Sequence, residues 1–273
     1  MSDTPKIALT VAGSDPSGGA GIQADLKTFS AFSVFGASVI ASLTAQNTRE
    51  VRAIHDPPAE FLAAQIDAVF DDLDIAATKL GMLSSTGAIL CVAERLLHHG
   101  ARHVVLDPVM VSKSGSRLLA PDAVEALRTK LVPLSEVITP NLPEAAVLLG
   151  ISEGEVLAAP QEAGKRLLGL GARCVVLKGG HAGGSFSDDL VFEAGATGGE
   201  IVRLSARRTP SNNTHGTGCT FSAAIAAGLA KGKPRAEAIA TAKRYIGAAI
   251  EGSREWTVGR GHGPVDHFHK WWK

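Results

Sequence analysis

The sequence has little with which to cross-link itself. Of its 273 residues only three are cysteines, Cys91, Cys174 and Cys219, and no two form a Cys-x-x-Cys pair. That spacing argues against a disulfide framework and against a zinc site. Neither staple is needed, because a domain of this length buries most of the surface its unfolded chain exposes. Excess charge is missing too: 27 Lys and Arg balance 27 Asp and Glu. A nucleic-acid or membrane-surface partner would leave a basic excess, so neither is expected. No apolar run approaches the roughly 20 residues that a bilayer span requires. Met1-Ser2-Asp3-Thr4-Pro5-Lys6 lacks the charged head and apolar stretch of a secretory leader, so the expectation is a cytoplasmic protein. Aromatic residues are few, whereas glycine is abundant at 30, as suits many tight junctions between elements. Cys91, in an apolar helical pattern, and Cys174, opening an apolar strand, read as buried small hydrophobes.

Short apolar runs rich in β-branched residues recur at 7–12, 38–43, 77–80, 103–106, 136–139 and 174–178. Between them lie segments of helical period. Ile22, Leu26 and Phe29 mark one apolar face, and Leu62, Ile66, Val69 and Leu73 mark another. Further helices are predicted over 86–98, 122–131, 161–170, 217–230 and 235–251. Strands buried on both faces and alternating with helices imply an α/β fold of three layers, a mainly parallel sheet with helices on both faces. Two alternating stretches, 189–193 and 200–204, predict a late β-hairpin. Residues 1–273 show no repeat, low-complexity segment or linker, and read as a single domain. Ligands of such sheets lie in the crevice beyond the carboxyl ends of the strands. The unusual residues fall there.

The first strand run leads into Gly13-Ser14-Asp15-Pro16-Ser17-Gly18-Gly19-Ala20-Gly21. Gly19-Ala20-Gly21-Ile22-Gln23-Ala24 matches a dinucleotide fingerprint in form. The strand ends too early for these glycines to make the required turn, and Ala45-Gln46-Asn47 supplies no acid for a ribose after the second strand. A P-loop fails as well, since Gly18-Gly19 stands where Gly-Lys-Ser/Thr is required. The string alone is as consistent with a plain connector as with a ligand loop. A second string, Asn213-Thr214-His215-Gly216-Thr217-Gly218-Cys219-Thr220, opens an apolar small-residue helix. Glycines at a helix mouth let backbone N–H groups converge, with the helix dipole behind them, on a transferring phosphoryl group. Cys219 is expected to feel the same field, which lowers a thiol pKa and makes a thiolate accessible.

Together these strings carry a resemblance. Gly13 to Thr28, Thr44-Ala45-Gln46-Asn47-Thr48, Thr139-Pro140-Asn141-Leu142-Pro143-Glu144-Ala145, Lys178-Gly179-Gly180-His181 and the Gly216–Cys219 segment resemble hydroxymethylpyrimidine/phosphomethylpyrimidine kinase. The closing Gly261-His262-Gly263-Pro264-Val265-Asp266-His267-Phe268-His269 is similar to that family's last signature. The likeness runs nearly end to end in unbroken order. It implies a ribokinase-like fold and ATP-dependent phosphorylation, with magnesium, of 4-amino-5-hydroxymethyl-2-methylpyrimidine and then of its monophosphate, in thiamin biosynthesis. A homodimer is also implied. Cys219, where much of the superfamily has Asp, points to the vitamin-kinase branch. Ser33 departs from the family pattern, where Gly is expected, and so does Asp266, where His is common.

Residue roles follow from chemistry and this resemblance. Gln46 suits a pyrimidine edge, because a primary amide donates to a ring nitrogen and accepts from the exocyclic amine. Asp25 is expected in the same pocket, a helix-surface charge being the alternative. Met82 and Val109 pack on the ring or belong to the core. The resemblance gives Gly216, Thr217, Gly218 and Cys219 to catalysis, with Cys219 as the base. It gives Lys178, Asn141 and Thr217 to ATP, and Asp107 and Glu144 to magnesium, a sparse set that fits an ion retaining its waters. The loop Ser112-Lys113-Ser114-Gly115 reads as a lid or as an ordinary surface loop. His262, His267 and His269 lack the further ligands of a metal site. Three rivals remain: a pyridoxal-type kinase, a nucleotide-binding regulator without turnover and, weakest, a dinucleotide oxidoreductase.

Overall fold

Residues 4–111, 118–180, 184–195 and 201–272 are described by the structure, a computed structural model. The loop at Ser112 to Gly115, and His181, lie outside the described residues. The strands are β1 (Ile7–Gly13), β2 (Phe35–Gln46), β3 (Val51–His55), β4 (Ile75–Leu80), β5 (Val104–Leu106), β6 (Val137–Ile138), β7 (Cys174–Leu177), β8 (Phe186–Glu193) and β9 (Ile201–Arg207). They join in one sheet ordered β3-β2-β1-β4-β5-β6-β7-β8-β9. Neighbours from β2 to β7 pair in parallel, whereas the pairs β2–β3, β7–β8 and β8–β9 are antiparallel.

The strands are apolar throughout because both faces are covered. In β5, Val104 and Leu106 turn to one face and Val105 to the other; β7 divides Val175 and Leu177 from Cys174 and Val176. The first face carries α2 (Ala59–Phe70), α3 (Thr86–His98), α4 (Ala123–Ala126), α5 (Leu142–Leu149), α6 (Glu153–Ala158) and α7 (Pro160–Leu168). The second carries α1 (Gly21–Ala31), α8 (Thr217–Ala230) and α9 (Arg235–Gly252). From Thr220 to Ala230 every residue of α8 is buried, as in a helix enclosed on all sides. Its small residues permit this: a Cβ on Gly228 would come 2.8 Å from Ala238 Cβ on α9.

The layered α/β architecture and the hairpin match the expectation, and some elements differ from it. β3 and the helices α5 and α6 were not anticipated. The helix expected over 122–131 changes winding, with α4 passing into a π-helical turn at Leu127–Leu131. Cys174 is buried as expected. Cys91 is only half-buried, and its Sγ donates to the Ala59 carbonyl at 3.3 Å.

Ser33, in the turn from α1 to β2, has φ of 56° and an exposed side chain. A Cβ in the left-handed region costs roughly 1–2 kcal/mol, and glycine's freedom in the unfolded chain offsets part of that. Ser33→Gly is therefore expected to raise stability by about 0.5–1 kcal/mol. A higher urea midpoint at unchanged slope would show it; a lower midpoint would mean that the serine side chain stabilises the turn.

Candidate active site

The direction of sheet growth reverses at β1, with β2 on one side and β4 on the other, and a ligand crevice is expected there. A cavity of about 660 Å3 opens at the carboxyl ends of the strands. Gly13 ends β1, Gln46 ends β2, Lys79 and Met82 stand at the end of β4, and Asp107 follows β5; all line the cavity. Asn141 and Glu144 reach it from the start of α5, Lys178 from the end of β7, and Gly216, Thr217, Gly218 and Cys219 from the start of α8.

The mouth of α8 is built around two glycines. Gly216, its N-cap, has φ of 78°, and a Cβ there would lie 1.8 Å from the Gly19 carbonyl oxygen. A Cβ on Gly218 would lie 3.3 Å from Asp107 Oδ2 and 3.4 Å from Lys178 Nζ. Thr217 is turned inward on its own loop, its Oγ1 donating to the Thr214 carbonyl at 2.8 Å. The first full helical bond runs from Thr220 N–H to the Gly216 carbonyl. Gly218 and Cys219 line the cavity, and their amides have no backbone partner among the described residues. Unfilled amides at a helix start form an anion site.

Gln46, Met82 and Val109 line the same cavity. Met82 sulfur lies against Gly13, where a Cβ would come within 3.0 Å of it. The Gln46 amide nitrogen is 3.5 Å from His215 Nε2, and the same ring nitrogen is 2.7 Å from Asp15 Oδ2. Asp15 also accepts from Ser17 Oγ at 2.7 Å and from the Ala20 amide at 2.8 Å, so it organises the glycine loop. Burial alone would raise the Asp15 carboxyl, but His215 and Ser17 hold it down to about 2. His215 packs on the loop so closely that a Cβ on Gly19 would meet its Cδ2 at 2.4 Å. Asp15 and His215 thus tie the Gly13–Gly21 loop to the mouth of α8.

Asp107, Glu144 and Lys178 form a third group. Lys178 Nζ is 2.9 Å from Asp107 Oδ1 and 3.7 Å from Glu144 Oε2. Burial pushes Glu144 above the usual carboxylate range and Asp107 adds to that, against Lys178 and the Asn141 amide. Burial would lower the Lys178 ammonium, and the two carboxylates outweigh it. Asn141 and Glu144 also make a capping box, with Asn141 Oδ1 accepting from the Glu144 amide and Glu144 Oε2 from the Asn141 amide, each at 2.8 Å. No group of three or more His, Cys, Asp or Glu among the described residues makes a metal cluster. Two carboxylates that already share one cation still fit an ion held largely through water and phosphate.

Two expectations are corrected here. Asp25 is fully buried behind the cavity wall, 2.8 Å from Lys79 Nζ, rather than on the wall. The Cys219 thiol is not lowered. Burial pushes it up to about 11, and Asp25 and Asp107 add to the rise, against Lys79 and the Gly21 N–H. Desolvation outweighs the nearby ammonium and the backbone amide.

A model of the family described as phosphomethylpyrimidine kinase matches residues 15–266. The chain belongs to this family. A hydroxymethylpyrimidine/phosphomethylpyrimidine kinase of Rhizobium meliloti is 53% identical over 267 residues, 98% of each chain. The solved phosphomethylpyrimidine kinase of Clostridium difficile is 42% identical with a TM-score of 0.76, covering 89% of this chain and 99% of that one. A Bacillus subtilis pyridoxal kinase solved as an ADP complex is 36% identical with a TM-score of 0.88, covering 98% and 99%. This chain is a kinase of ribokinase-like fold.

Within that kinase family frame, the cavity brings together Gln46, Met82, Val109, Asp107, Asn141, Glu144, Lys178 and Gly216 to Cys219, and leaves out Asp25. Sequence reasoning missed Asp15, His215 and Lys79, which also line it. Of the closing histidines, His262 is exposed, His269 is half-buried and His267 serves packing. His267 is buried with Nε2 3.0 Å from Thr220 Oγ1, and burial holds it neutral, down to about 3. Gly263 leaves room for Asn213, whose Oδ1 would be 1.9 Å from a Cβ there. No helix among the described residues is long and apolar enough to cross a membrane.

Proposed function

We propose that the protein uses ATP to phosphorylate 4-amino-5-hydroxymethyl-2-methylpyrimidine and then phosphorylates the monophosphate to the diphosphate, in thiamin biosynthesis. One observation carries the reading: an amide suited to an aminopyrimidine, Gln46, shares one cavity with a helix-mouth anion site and a cysteine. Phosphoryl transfer asks a protein mainly for positioning and charge neutralisation. Gln46 pairs with the ring edge, and Met82 and Val109 supply its apolar walls. The amides from Gly216 to Cys219 receive the transferring group, and Cys219 takes the hydroxymethyl proton. The triphosphate runs past Thr217, Lys178 and Asn141. The base and ribose lie toward α9, where Ile246, Gly247 and Ile250 line the cavity. Open space above Gly247, with nothing within 4 Å of an added Cβ, suits a flat base.

Asp107 and Glu144 would hold magnesium, Glu144 being anchored for that by the Asn141 cap. The ion would neutralise phosphate charge. The family resemblance extends the proposal to a single functional domain, a homodimer and a cytoplasmic setting.

The pyridoxal kinases among the solved relatives, 36% and 33% identical, favour a second reading in which pyridoxal is the alcohol. ADP release with hydroxymethylpyrimidine, its monophosphate, pyridoxal and ribose decides between them. High turnover of the first two supports the proposal; pyridoxal turnover alone overturns it. Gln46→Leu sharpens the comparison. It should cost about 1–3 kcal/mol of discrimination on the aminopyrimidine, a loss of roughly 5- to 150-fold in kcat/KM, and far less on pyridoxal. Equal losses on both would show that Gln46 does not read the ring.

A further inference from the structure

Lys79 has no need to be a lysine for the sake of the fold. It stands one residue from the end of β4, fully buried, in a strand otherwise of small and apolar residues. Its ammonium donates to Asp25 Oδ2 at 2.8 Å, and Thr10 Oγ1 donates to the same oxygen at 2.6 Å. Asp25 Oδ1 has no hydrogen-bond partner among the described residues. Taking both ions out of water is expensive, and neutral side chains of similar volume commonly replace such a pair without loss of stability. The surroundings are shaped to keep it: a Cβ on Gly81 would come 2.7 Å from Lys79 Nζ.

The pair is also directional. Lys79 lines the active-site cavity and Asp25 lies behind it. Cys219 lines the same cavity, and the charged groups acting on it are Lys79, Lys178, Asp25 and Asp107. Lys178 is engaged by two carboxylates, Asp107 and Glu144, and Lys79 by one, Asp25, which leaves Lys79 the less fully neutralised of these two cavity-lining cations.

We propose that the Lys79 ammonium balances the negative charge that passes from Cys219 to the hydroxymethyl oxygen and on to the transferring phosphoryl group. The substrate O–H bond breaks and the proton goes to the Cys219 thiolate. The oxygen pair attacks the γ-phosphorus, and the bond to ADP breaks with its electrons leaving on ADP. The thiol is neutral at rest; once the thiolate has formed, net charge is constant through these steps and stays in the cavity that Lys79 lines. Asp25 is the positioning residue that holds the ammonium forward. This inference rests on the proposed function.

Two variants test it, each on both substrates. Lys79→Met/Asp25→Asn removes the ion pair while filling its space. Lys79→Gln keeps a donor toward Asp25 and leaves that carboxylate uncompensated. On the alcohol, charge at the oxygen exists only in the transition state, so the loss should fall on kcat, about 10²-fold for the double variant and more for Lys79→Gln. On the monophosphate, the charge is present before reaction, so the loss should appear mainly in KM. A purely structural pair predicts that a folded double variant works like the parent, and that result would overturn the inference. If the double variant does not fold, Lys79→Gln alone decides: unchanged kcat on the alcohol refutes the role. A parent enzyme that phosphorylates neither pyrimidine would instead refute the functional proposal.

Discussion

Cys219→Ala is expected to lose about 10²–10⁴-fold in the rate of hydroxymethylpyrimidine phosphorylation and to keep much of the reaction with the monophosphate. An alcohol is a poor nucleophile until its proton is taken, and a positioned base contributes on that scale. The phosphate oxygen that attacks in the second reaction is already anionic near neutral pH. Alanine leaves the amides at the mouth of α8 in place and removes only the sulfur. The height of the thiol pKa adds a second signature. With the group pushed up to about 11, the thiolate is scarce at neutral pH and grows about tenfold per pH unit below that value. The parent alcohol reaction should therefore climb with pH through the mildly alkaline range, and the Cys219→Ala residual should not. Steady-state rates on each substrate at saturating ATP and magnesium give the answer. Equal large losses on both substrates would reduce Cys219 to a shaping role. No loss on the alcohol would exclude it as the base.

Gly216→Ala should remove both reactions together. Residue 216 is in the left-handed region, and an added Cβ would fall 1.8 Å from the Gly19 carbonyl oxygen. The conformation itself costs a non-glycine residue roughly 1–2 kcal/mol, and the clash forces the two glycine loops apart. The amides that follow then no longer converge. Losing a preorganised donor of this kind typically costs about 10²–10³-fold in kcat. Here both substrates should suffer alike, because both send a phosphoryl group through the same site. Thermal unfolding of the variant separates local from global damage: a Tm within a few degrees of the parent with both rates gone supports the assignment. Retention of either reaction would place the anion site elsewhere.

The contrast between these variants depends on features that differ in how plainly the sequence displayed them. The parallel strands were legible because burial on both faces leaves unbroken apolar runs. β3 was not, since its five residues are half-buried or exposed and carry no core signal. α5 was hidden by a competing reading of its first turn. Asn141-Leu142-Pro143-Glu144 reads as a magnesium motif, yet the same residues are a helix start, with Asn as N-cap, Pro in the first turn and Glu closing the capping box. The glycines of α8 were readable because few other reasons place two glycines before an apolar helix. Lys79 had a signal that went unused: a lysine inside a strand buried on both faces needs a partner, and Asp25 on the neighbouring helical segment was the candidate. The Cys219 correction has a different origin. A nearby cation and desolvation act on a thiol in opposite senses, and only the folded site shows that desolvation prevails.

The contact between Asp15 and His215 bridges 200 positions of chain. A growing polypeptide reaches Gly13, Gln46 and Lys79 early, but the mouth of α8 and the ring that locks the first glycine loop arrive only with its last quarter. Long-range closures of this kind come late in folding, because chain entropy opposes them until other contacts are made. The strands that carry Gly13, Gln46 and Lys79 can thus pair before the helix mouth that completes the cavity exists. Catalytic competence is a property of the finished chain, and a polypeptide severed between residues 15 and 215 keeps it only while the two pieces stay associated.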